Sequence, residues 1–247
     1  MRVETAEISL IGARESNQDR VASITAGDST LAVVCDGMGG HSAGERAAEI
    51  ATKVICDRFS DLPKPLFDPL GFLNLALGVA HQRVVQFGLG IPVDVRPRAT
   101  CALCLVQDGS SYWGHIGDSR IYLLRRGRIV TRTRDHSHVE LLLREGLIEI
   151  DQMQSHPMRN FVESCIGGEA LLPEMTLSPR HALLPGDTLL VCTDGLWGNL
   201  NDESLAGGFF AADQPLARAL STLAARAVEA GGAAADNTSA IALRCVD

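Results

Sequence analysis

Short apolar runs in this chain repeatedly end on, or begin just after, an aspartate at a turn. That recurrence restricts the fold more than any other feature of the sequence. The run 31–35 leads into Asp36-Gly37, the run 189–193 into Asp194-Gly195, and the run 112–116 into Gly117-Asp118-Ser119. Asp236-Asn237-Thr238 opens the last run, 240–245. Apolar runs of this length, bounded by turn residues, read as buried strands. If those strands share a sheet or a sandwich, the carboxylates converge at one end. Converging carboxylates repel one another, and a cation offsets that repulsion. A ligand set made only of oxygen suits Mg²⁺ or Mn²⁺ rather than zinc. The residues alone therefore point to divalent-metal hydrolysis.

The 247 residues allow one large domain or two small ones, and with no clear linker they read as one domain, 1–247. Aromatic residues make up only 4% of a chain that is 46% hydrophobic, so the core must be built from Ala, Val, Leu and Ile. A net charge of -8 argues against nucleic acid and anionic membranes as general partners. Six arginines fall between positions 120 and 134. They read as the solvated face of a hairpin, with a contact for a phosphorylated partner as the sharper alternative. No run approaches the roughly 18 apolar residues of a membrane span. Residues 1–7 lack the apolar core of a signal peptide. Seven cysteines with scattered spacing predict reduced thiols and a cytoplasmic location. Cys101 and Cys104 look like a metal or redox pair, but on a strand residues three apart point to opposite faces, so both are expected in the core.

Strands are predicted at 3–11, 21–25 and 31–35, followed by helices at 42–59 and 69–87. After a loop at 88–98 come strands at 99–107, 111–116, 120–124 and 128–133, with hairpin turns at Asp108-Gly109 and Arg126-Gly127. A short helix at 139–145 stops at Gly146. The polar segment 148–172, with Pro157 and Gly167-Gly168, reads as a mobile flap with few core contacts. A strand at 188–193, a short helix at 202–209, a helix at 216–228 and a strand at 240–246 complete the chain. Strands come as hairpin neighbours and the first two helices come as a pair. That pattern favours an α+β layered architecture of antiparallel sheets flanked by helices over a parallel βαβ sheet.

Five segments then carry a resemblance. Arg14-Glu15-Ser16-Asn17-Gln18-Asp19, Asp36-Gly37-Met38-Gly39-Gly40-His41, Gly117-Asp118-Ser119-Arg120, Thr193-Asp194-Gly195 and Asp236-Asn237-Thr238 occur in the order, and near the spacings, of the PP2C-type (PPM) metal-dependent serine/threonine phosphatases. The chain resembles the bacterial branch in particular. The resemblance implies a central antiparallel β-sandwich with a helix pair on each side and two Mn²⁺ or Mg²⁺ ions at one end, with a third beside them. It implies that Asp36 bridges two ions and that the Gly37 carbonyl oxygen binds one of them. Asp194 and Asp236 then bind the first ion, and Asp118 shares the third with Asp194. Arg14 becomes the phosphate clamp, a role that suits a planar guanidinium fork. Gln18, Asp19, His41 and Asn237 form a weaker outer set. In the implied reaction two metals about 3.5–4 Å apart acidify a bridging water that attacks phosphorus in line, and no protein nucleophile is needed.

The chain departs from the family at two places. Neutral Gln18 stands where Glu is common. Met38 stands where eukaryotic members carry His, so the proton donor is open between His41 and metal-bound water. The implied substrate is a phosphorylated protein, the target or partner of a Ser/Thr kinase. The rival readings are a pseudophosphatase that binds phosphoproteins and a two-metal phosphoesterase for a small molecule.

Overall fold

The computed structural model describes residues 2–39, 42–153, 155–210 and 214–247. The first part contains β1 (Arg2–Leu10), β2 (Asp19–Ala26), β3 (Ser29–Met38), α1 (Ser42–Ser60) and α2 (Pro69–Phe87). Next come β4 (Arg98–Ala99), β5 (Cys101–Gln107), β6 (Ser110–Ile116), β7 (Arg120–Arg125), β8 (Arg128–Arg132) and α3 (His138–Arg144). The remainder holds β9 (Ile166–Gly167), β10 (Thr176–Leu177), β11 (His181–Ala182), β12 (Thr188–Cys192), α4 (Asp194–Trp197), α5 (Asp202–Gly207), α6 (Leu216–Gly231) and β13 (Thr238–Val246). No described helix is long and apolar enough to cross a membrane.

The strands form two antiparallel sheets. One has the order β1-β13-β12-β7-β8. The other is built on β2-β3-β5-β6, with β10 and β11 added to β6, and β4 and β9 continuing from the end of β3. The sheets pack face to face, and the second is covered by α1 and α2. A strand with a core on both faces shows no alternation of apolar and polar residues. In β5, Cys101, Leu103 and Leu105 face the helices, whereas Ala102, Cys104 and Val106 face the other sheet. The two cysteines therefore serve separate cores, and Cys101 Sγ lies 3.4 Å from Cys35 Sγ on the adjacent strand.

Sequence periodicity locates the helices well. Ala47, Ala51, Ile55 and Phe59 of α1 are fully buried against the sheet. In α2, Pro69 occupies the first turn, where no donor is required, and the Asp68 carboxylate accepts from Gly71 N at 2.9 Å. Leu216, Leu220, Leu223 and Ala227 form the buried stripe of α6. That layer pairs α6 with the short α4 and α5, so the expected helix pair on this side is one long helix with two short ones. Both expected hairpin turns have consecutive positive φ values, 50° and 66° at Asp108-Gly109 and 51° and 71° at Arg126-Gly127. This is the backbone twist that joins adjacent antiparallel strands.

Two expectations need correction. The segment 148–172 is not uniformly peripheral, because its second half is stitched into the fold. Val162 bridges Ser137, Glu163 N donates to His136 O at 2.8 Å, Ile166 is fully buried, and β9 pairs with β4. Val162 sits in a single bridge and Ile166 in a two-residue strand, pieces too short to leave a periodic signal. The arginines of 120–134 are not all on a solvated face either. Arg120 is buried, and Arg125 makes two bonds of 2.7 Å to buried Asp187.

Antiparallel pairing fixes where the turn aspartates meet. The end of β3 lies against the start of β2, with Asp19 opposite Asp36. The end of β12 lies against the start of β13, with Cys192 opposite Ala240. β6 runs in the same direction as β3 because β5 lies between them, antiparallel to both.

Candidate active site

Asp36 lies at the end of β3, held through its backbone rather than its side chain. Asp36 N donates to Thr100 Oγ1 at 3.2 Å and Thr100 N donates to Asp36 O at 2.9 Å. Thr100 Oγ1 lies 2.7 Å from Ser119 Oγ, which links this strand end to the Asp118 turn. A glycine must follow Asp36, because a Cβ on Gly37 would overlap the Gly44 carbonyl of α1. Gly195 is required in the same way, since its Cβ would overlap the Asn237 carbonyl. The Asp-Gly pairs of the sequence thus mark places where two backbones approach closely.

Asp194 opens α4, and the preceding Thr193 donates its hydroxyl to Asp19 Oδ2 at 3.0 Å. Asp236 Oδ1 accepts from Asn237 N at 2.8 Å, and its Oδ2 accepts from Arg14 Nη2 at 2.6 Å. Asn237 fastens the segment that carries Arg14. Its Nδ2 donates to Ile11 O at 2.9 Å and Ser16 O at 3.0 Å, and its Oδ1 accepts from Gln18 N at 2.9 Å. Arg14 itself stays at the surface, with its side chain 58% exposed.

The carboxylates crowd one another. Burial and the neighbouring charges of Asp19, Asp194, Asp118 and Asp236 push Asp36 well above the usual carboxylate range. Asp118 is raised well above it too, by burial and then by Asp194 and Asp135. Burial, with Asp194 and Asp236 adding to it, pushes Asp19 up to about 7. Burial and then Asp236 push Asp194 up to about 6. Asp36 is the hub, since its repulsion comes from all four of the others.

Among the described residues, no group of three or more His, Cys, Asp or Glu side chains stands ready to hold a metal ion. The hard cations that fit an oxygen set do not require such a group. Mg²⁺ keeps several waters and is commonly held through one or two carboxylates. Two observations fit such an ion: the raised carboxylates, and Asp19 Oδ1, which is buried and makes no hydrogen bond of ordinary geometry. A buried acceptor left unpaired costs stability unless something satisfies it.

The structure brings Asp36, Asp118, Asp194, Asp236, Gly37, Arg14, Gln18 and Asn237 to this end of the sandwich. Asp19 belongs among the central carboxylates rather than the outer set. Its position opposite Asp36 follows from the β2–β3 register, which the sequence does not display. His41 lies outside the described residues. Met38 and Gly39 line a cleft of about 780 Å³ that continues along Arg98, His136, Phe161 and Leu171. His115 and His136 are structural. Their rings stack 4.6 Å apart, and His136 Nδ1 accepts from Gly117 N at 3.2 Å, bracing the Asp118 turn. Arg120, Asp135 and Trp197 form a unit behind Asp118 that no sequence signal marks, because the three lie on separate segments of the chain.

A two-sheet sandwich with helices outside and aspartates crowded at one end is the architecture of a known protein class. The chain belongs to the protein phosphatase 2C family, which matches residues 9–231. Serine/threonine protein phosphatase PstP of Mycobacterium tuberculosis is 32% identical over 193 residues, a match covering 78% of this chain and 36% of that protein. The chain thus spans about a third of the length of the first curated relatives it matches. The solved Streptococcus agalactiae serine/threonine phosphatase superposes with a TM-score of 0.90 at 25% identity, covering 100% of both chains. The catalytic domain of PstP in complex with two manganese ions superposes with a TM-score of 0.81 at 28% identity, covering 99% of both.

Proposed function

We propose that this chain hydrolyses phosphoserine and phosphothreonine monoesters on proteins, using Mn²⁺ or Mg²⁺ held by Asp36, the Gly37 carbonyl, Asp194 and Asp236. The observation that carries this reading is the crowding of Asp19, Asp118, Asp194 and Asp236 around Asp36, which burial and mutual repulsion hold toward the neutral form. A neutral aspartate cluster has no evident use in a binding module, whereas a cluster completed by cations serves phosphoester hydrolysis. The two manganese ions in the PstP catalytic domain support two ions here. A third, on Asp118 and Asp194, belongs to the same proposal. When bound, the ions supply an acidified water and offset the negative charge that builds up on the phosphoryl group.

The chain's own residues do the rest. Arg14, exposed at the mouth, binds the phosphate oxygens and orients the ester. Asn237 holds the Arg14 segment in place. Asp36 and Asp19 keep their spacing through strand pairing, so the carboxylate geometry is set before substrate arrives. Ser119 and the seven cysteines take no part in bond making. The substrate is a phosphorylated protein, in a pathway that a Ser/Thr kinase opposes, in the cytoplasm. The whole of 1–247 acts as one phosphatase domain.

Arg14 provides the test. Arg14→Ala should raise KM for a phosphothreonine peptide by at least about tenfold, while kcat falls by less. Lys in its place should restore only part of the loss, because a point charge cannot make the forked contact. Steady-state kinetics on the peptide decide it. A KM equal to wild type would place the phosphate site elsewhere.

A further inference from the structure

α4 has only four residues, too few to hold its own direction, yet it carries Asp194 at its first position. It must be anchored from outside at both ends. At the start, the Thr193 hydroxyl reaches Asp19. At the end, the Trp197 indole N–H donates to the backbone carbonyl of Asp118 at 3.0 Å. The Arg120 guanidinium lies flat over the Trp197 ring, 3.3 Å from its centroid. Arg120 is fixed in turn by Asp135, through Nε–Oδ1 and Nη2–Oδ2 bonds of 2.8 and 2.7 Å, and by Tyr122 Oη at 3.2 Å. Both halves of this clasp sit on segments that carry carboxylates. Trp197 is three residues after Asp194, and Arg120 is two residues after Asp118.

We infer that Trp197, clamped by Arg120 and Asp135, is a positioning residue that sets the spacing between the Asp118 and Asp194 carboxylates and so governs the cation they share. The inference rests on the metal reading proposed above. It concerns a side chain that touches neither substrate nor ion. The ring fixes the direction of α4, and the N–H fixes the Asp118 turn against it. Trp197→Phe keeps a ring for Arg120 to cover and removes only the N–H.

Mn²⁺ binding, measured by titration calorimetry on the full chain stripped of metal, tests this without relying on turnover. The relevant ion is defined as the one lost in Asp118→Asn. In Trp197→Phe that ion should bind about fivefold more weakly, the cost of one hydrogen bond, with the tighter sites unchanged. In the Asp118→Asn background, adding Trp197→Phe should leave the remaining sites unchanged within about twofold, as expected of residues that act as one unit. The inference is overturned if Asp118→Asn loses no ion, if Trp197→Phe binds like wild type, or if it weakens every site alike in both backgrounds. A wild-type chain that takes up no Mn²⁺ defeats the metal reading itself, and that result is distinct from the other three.

Discussion

Asp36→Ala should lower kcat on a phosphothreonine peptide by at least about a hundredfold, because it removes the hub of the carboxylate cluster that places the cations. Asp236→Ala should do the same from the turn that opens β13 in the other sheet. The loss should not come from unfolding. The Asp36 main chain keeps its bonds to Thr100 whatever the side chain is, and its carboxylate is held far above its ordinary range by burial and four neighbouring acids. Removing it relieves repulsion, so thermal stability in chelator should stay level or rise. Such a gain is the usual sign that a functional site was maintained at a cost to the fold. Phosphate release at saturating substrate, together with a melting curve on the same sample, checks both halves. Activity within a few-fold of wild type would remove Asp36 from the centre of the account.

The second large effect belongs to the Arg120–Asp135 pair. The two side chains are only 10% and 3% exposed, and two short parallel bonds join them. Asp135→Ala would leave a guanidinium buried with only Tyr122 and the Trp197 face for company, a loss of about 3–5 kcal/mol. Replacing both partners, Arg120→Met with Asp135→Leu, should recover most of that stability, since the penalty comes from an unpaired charge rather than from a missing contact. Denaturant unfolding in chelator separates the cases. Equal stability of Asp135→Ala and wild type would show that the buried pair contributes little to the fold.

Much of this was legible in the residues. Runs such as 31–35 and 189–192 are apolar throughout because both faces of their strands are buried, and each leads to an Asp-Gly pair whose glycine is forced by close backbone approach. That combination exposed Asp36 and Asp194 directly. The α1 and α6 stripes were equally clear, because one face of each helix meets the core. Features that depend on pairing between distant segments were not visible. Asp19 becomes central only through its register opposite Asp36. Arg120 sat in an arginine-rich hairpin and looked solvated until the fold brought Asp135 and Trp197 to it. The short strands β9, β10 and β11 have two residues each and leave no period to detect. Their positions are set by the sheet edges they complete.

On the proposed function, the aspartate cluster works by holding divalent cations for phosphoester hydrolysis. The most direct measurement is phosphate release from a phosphothreonine peptide by the wild-type chain, first stripped with EDTA and then supplied with Mn²⁺. The account predicts no release in EDTA and full recovery on Mn²⁺ addition. Undiminished release in EDTA would contradict it.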